Sequence, residues 1–77
     1  MKRLLSEELY TERKKQGLTV ESLAKLCGVS RSYITLIENN KRMPGKKTIP
    51  LIAKALNLKT AVVLNWYLED IRAKLSG

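Results

Sequence analysis

The chain has 77 residues, 44% hydrophobic and 29% charged, with 15 lysines and arginines against 7 acids and a formal charge of +8. A chain this short makes one domain and buries only about 60 to 65% of the surface it exposes when unfolded, which excludes a second lobe or a deep cleft. Histidine is absent, which removes the usual general base, the Ser-His and Cys-His nucleophile pairs and every His-based zinc site.

In chain order, Met1 to Leu5 begins like an export signal, but Ser6, Glu7 and Glu8 end it before any apolar stretch develops. Ser6 is the expected N-cap of a first helix over about residues 7–16. Glu7 and Glu8 suit its positive end, and Arg13, Lys14, Lys15 and then Gly17 close it. Thr19 caps a short second helix, about residues 20–27, with Leu23, Ala24 and Cys27 on one face and Gly28 as its left-handed stop. Cys27 is the single cysteine and reads as plain core packing. With no disulfide possible, a reducing cytoplasm is expected. Ser30 caps a third helix, about residues 31–39, in which Ile34 and Ile37 face one way while Arg31, Ser32, Thr35 and Asn39 face another. Asn39 and Asn40 end it. Pro44 and Gly45 mark a turn, and Pro50 cannot lie deep in a helix. A fourth helix is therefore expected to begin near Ile49, with Thr48 as its cap. Thr60 caps a fifth, about residues 61–75. The expectation is an all-α single domain over residues 1–77. The longest apolar run, Ala61–Leu64, is far short of the roughly 20 residues a membrane span needs.

The charge is concentrated. Between residues 41 and 59 lie Lys41, Arg42, Lys46, Lys47, Lys54 and Lys59 and no acid, whereas residues 18–40 and 60–77 are each balanced. A basic run is often only solvated surface. Cation without compensating carboxylate also suits a phosphate backbone, which releases condensed counterions as it is neutralised.

Only Gly28, Val29 and Ser30 join helices two and three, so the two must cross steeply, as in a helix-turn-helix. The stretch from Leu18 to Asn39, LTVESLAKLCGVSRSYITLIEN, resembles the lambda-repressor-like, xenobiotic-response-element family of bacterial and phage transcription regulators. Leu23, Ala24, Gly28, Val29, Ile34 and Ile37 carry the resemblance in register. It continues through Pro44 and Ile52 to Leu56, covering about residues 7–58. The resemblance implies a compact five-helix lambda-repressor-like DNA-binding domain that is not an enzyme, takes no cofactor, and is more often a repressor than an activator. It also implies an ion pair between Arg13, four before the first glycine, and Glu38 at the end of helix three, as against two solvated charges.

In such a domain the exposed face of helix three enters the major groove. Arg31 is the leading candidate for base readout, its fork matching guanine O6 and N7, with Ser32 and Thr35 beside it. Leu36 could touch a thymine methyl or pack on the basic loop. Ser30, Tyr33, Asn39, Asn40, Lys41, Arg42, Lys46 and Lys47 are candidates for the DNA backbone. For Tyr33 the alternative is packing on helix two, and for the asparagines simply stopping the helix. One position departs from the family: Val20 stands where glutamine commonly braces the first recognition residue.

Helix five lies beyond the family pattern. Leu64, Leu68, Ile71 and Leu75 are spaced 4, 3 and 4, and Trp66 and Tyr67 widen the apolar arc. These six are candidates for a homodimer interface, against a terminal helix packed on its own core. The expected partners are double-stranded DNA and a second copy, in a bacterial, phage or mobile-element cytoplasm, with no metal, no membrane and no small-molecule effector. The runner-up is a protein-interaction module, such as the antitoxin of a toxin pair. A distant third is an enzyme built on Glu7, Glu8 and Glu12, which lie on a solvated helix start with no pocket.

Overall fold

The computed structural model describes residues 4–76. Five helices follow one another: α1 Leu5–Lys15, α2 Val20–Cys27, α3 Arg31–Glu38, α4 Thr48–Ala55 and α5 Thr60–Ser76, with no strand among the described residues. They close around one aliphatic core of Leu5, Leu9, Leu23, Ala24, Cys27, Ile34, Ile37, Ile49, Ile52, Ala53, Leu56 and Val63. No described helix is long and apolar enough to cross a membrane.

Local capping sets α2 and α3. The Thr19 side chain accepts the Ser22 N–H at 2.9 Å and Ser30 Oγ accepts the Tyr33 N–H at 3.1 Å. Gly28, at φ 72°, ends α2 in the left-handed region. Of the two asparagines after α3, Asn40 makes the stop, at φ 59°, while Asn39 keeps φ −90°. Asn57 takes the same left-handed role after α4, at φ 56°.

Three expected caps fall elsewhere. Ser6 is not an N-cap: α1 starts earlier, at Leu5, and Ser6 is buried within its first turn. The amides left without a partner inside the helix are satisfied in another way. Glu7 Oε1 accepts the Leu4 N–H at 3.0 Å, and Asp70, from the far end of the chain, accepts the Leu5 N–H at 2.8 Å. Thr48 is the first residue of α4 rather than its cap, because the preceding turn is already helical, with the Thr48 N–H donated to the Gly45 carbonyl at 2.9 Å. Pro50 then falls in the first turn, where its missing N–H costs nothing. Thr60 likewise opens α5 from inside the helix.

On α5, Val63 and Asp70 are buried, and Trp66 and Tyr67 are half-buried against the core. These two aromatics, candidates for an interface between copies, are thus largely taken up by their own domain. Leu64, Leu68 and Leu75 remain 41%, 49% and 83% exposed, with half-buried Ile71 in the same row.

Candidate nucleic-acid interface

The α2–α3 turn presents the first turn of α3 outward. Gly28 and Val29 return their N–H groups to the carbonyls of Lys25 and Ala24 at 3.2 and 3.0 Å, so the chain reverses within three residues. Leu23 and Ala24 on α2 then meet Ile34 and Ile37 on α3 in the core. That burial leaves Arg31, Ser32, Thr35 and Leu36 on the opposite, exposed face, where the four line one surface concavity. Such a helix start, with donors and an apolar side chain in one row, can approach base edges in a major groove.

Arg31 Nη1 lies 4.0 Å from Glu21 Oε1 on α2, both side chains open to solvent. A pair this exposed holds the guanidinium weakly and leaves it free to turn. Val20 is half-buried against the core, so the family's usual amide brace has no counterpart at that position.

Behind the exposed face, Arg13 ties α1 to the end of α3. Arg13 Nε lies 2.6 Å from Glu38 Oε2 and Nη2 lies 3.0 Å from Glu38 Oε1, a two-pronged pair with both side chains under 10% exposed. Arg13 Nη1 also donates to the Leu18 carbonyl at 2.7 Å, and the guanidinium sits 5.3 Å from the Tyr10 ring centre. The Glu38 hydrogen bond raises the Arg13 pKa against the opposing effect of burial, so the guanidinium stays charged.

The loop between α3 and α4 carries Lys41, Arg42, Lys46 and Lys47, all exposed, on a base anchored by buried Pro44 and half-buried Met43. Tyr33 faces this loop. Its ring packs against the core. Its hydroxyl accepts the Gly45 N–H at 2.9 Å and donates to Thr48 Oγ1 at 3.3 Å, and the Arg42 guanidinium lies 4.8 Å over its ring. The sequence marks Gly45 as a turn and Thr48 as a cap, but neither residue type signals a contact with Tyr33, twelve or more positions earlier. Cys27 is buried, its thiol directed at the Leu51 carbonyl at 3.8 Å, and desolvation pushes its pKa up, which fits packing rather than reactivity.

The sequence profile described as helix-turn-helix matches residues 9–63, well over half of the chain. The chain belongs to the lambda-repressor-like helix-turn-helix family. Among relatives, the control protein C.SmaI of Serratia marcescens is 33% identical over 64 residues, covering 83% of this chain and 76% of that one. The ImmF control region 10 kDa protein of Bacillus phage phi105 is 38% identical over 52 residues, covering 68% of this chain and 58% of that protein. Among solved structures, the DNA-binding domain of the P22 c2 repressor superposes with a TM-score of 0.77 at 26% identity, over 83% of this chain and 84% of that one. The lambda-repressor-like fold is one of DNA-binding regulators of the repressor and controller type rather than of enzymes. It is all-α, with its helix-turn-helix here at α2 and α3.

Proposed function

We propose that this chain binds double-stranded DNA sequence-specifically as a homodimer and represses transcription from a near-palindromic operator, in a bacterial or phage-infected cytoplasm. The observation that carries this reading is the exposed concavity of Arg31, Ser32, Thr35 and Leu36 beside a loop bearing four exposed cations and no acid. Arg31 reads a guanine, Ser32 and Thr35 support the readout, and Leu36 meets a thymine methyl. Ser30, Asn39, Lys41, Arg42, Lys46 and Lys47 lie along the phosphates and supply affinity rather than sequence information. The outward row Leu64, Leu68, Ile71 and Leu75 pairs with its copy, setting two α3 helices about 34 Å apart, one turn of DNA.

Selection of bound duplexes from a random library near physiological salt tests the reading. A two-fold symmetric site supports it, and an unenriched pool removes it. Within an enriched site, Arg31→Ala is expected to relax preference at one base position, by about 1 to 3 kcal/mol of discrimination. An equal loss on every sequence would make Arg31 a phosphate contact instead.

The α5 row favours a second reading, a module that engages another protein as an antitoxin does. An unenriched library together with a stable complex with a foreign protein would select it.

A further inference from the structure

Four contacts converge on Tyr33, and three of them belong to the basic loop and the start of α4. The Gly45 N–H and Thr48 Oγ1 meet its hydroxyl at 2.9 and 3.3 Å, and Arg42 lies over its ring at 4.8 Å, while the residue packs against the core. The chain from 41 to 47 has no helix of its own to hold it. Gly45 sits at its far turn, and Arg42 at its near end. A single side chain of the recognition helix thus grips the loop at both ends, while the hydroxyl that could have reached a phosphate is held within the protein.

We propose that Tyr33 is a positioning residue, which fixes the loop cations at the height and spacing of the DNA backbone relative to α3 and so couples insertion of the helix to docking of the loop. This rests on the proposed DNA-binding function. The physical reason is entropic. An unanchored loop would lose its freedom only on meeting DNA, and every phosphate contact would be weaker by that ordering. Anchoring it beforehand removes that loss without adding any contact to the nucleic acid.

The test begins without DNA. Tyr33→Phe keeps the ring, its packing and the Arg42 stack but removes the hydroxyl, so hydrogen exchange at the Gly45 amide is expected to accelerate at least about tenfold while the thermal midpoint of the domain changes little. Binding is expected to fall about threefold to tenfold on specific and random duplexes alike. Tyr33→Leu, which also removes the stack, is expected to fall further. In a chain already carrying Lys46→Ala and Lys47→Ala, Tyr33→Phe is expected to lose about half of its effect, because two of the four cations it positions are gone.

Full additivity in that cycle, with Gly45 exchange unchanged, would overturn the proposal and place the hydroxyl directly on DNA. An equal fall in thermal stability and affinity would make Tyr33 a packing residue only, and would equally overturn it. A wild-type chain that binds no duplex at all removes the proposed function and with it the coupling, whatever Gly45 does. Binding that survives Tyr33→Phe intact overturns the positioning role alone.

Discussion

The Arg13 guanidinium is engaged on every side: two prongs to Glu38, one to the Leu18 carbonyl, and Tyr10 alongside. With both carboxylate and guanidinium largely out of water, the favourable attraction is set against a desolvation cost, and neither group can be removed alone without stranding the other. Arg13→Ala and Glu38→Ala are each expected to lower stability by about 3 to 5 kcal/mol in urea unfolding. Replacing both by apolar residues of similar volume is expected to recover much of that loss. Two independent losses that simply add would mean the pair is solvated in practice. The spacing of Arg13 from Gly17 makes this pair legible in the family pattern. Tyr33 is not legible in the same way, because a tyrosine on an exposed helix start has the same appearance whether its hydroxyl turns to solvent, to DNA or to a loop twelve residues away.

At the scale of elements, the proposed interface divides the work of recognition between the loop joining α3 to α4 and the helix before it. Lys46→Ala combined with Lys47→Ala is expected to weaken binding to all duplexes and reduce the salt dependence by up to about two units of slope. A slope identical to wild type would remove these two lysines from the interface. The limits of α2 and α3 are legible in the sequence because their caps are local: Thr19, Gly28 and Ser30 each act within a few residues of where they stand. The start of α1 is not. Its amide acceptor is Asp70, 65 residues further on, so Ser6 has the look of a cap although it is buried inside the helix. The start of α4 is hidden for a related reason, since Thr48 has its hydroxyl committed to Tyr33 rather than to its own helix.

For the whole molecule, the decisive element is α5, which packs on both α4 and α1 and still leaves Leu64, Leu68 and Leu75 open. A wide apolar arc announces that the helix has two faces to cover but not which residues cover which. The core takes Val63, Trp66 and Tyr67, and the remaining row is what a second copy could meet. Leu68→Glu is expected to leave the domain folded and raise the dissociation constant of the proposed homodimer at least about tenfold in sedimentation equilibrium. A wild-type chain that stays monomeric at high micromolar concentration would remove that interface. Asp70 adds a different consequence. It is fully buried, holds the first amide of α1 through Oδ2, and is met at Oδ1 by Lys74, whose ammonium also lies 3.4 Å from Met43 Sδ in the basic loop. The last helix is therefore a clasp rather than a detachable handle. Anyone trimming the domain for crystallography or for a minimal version would have to repaint the outer surface of that helix rather than remove it, because cutting the chain before residue 70 would release the opening turn of α1 at the other end of the sequence.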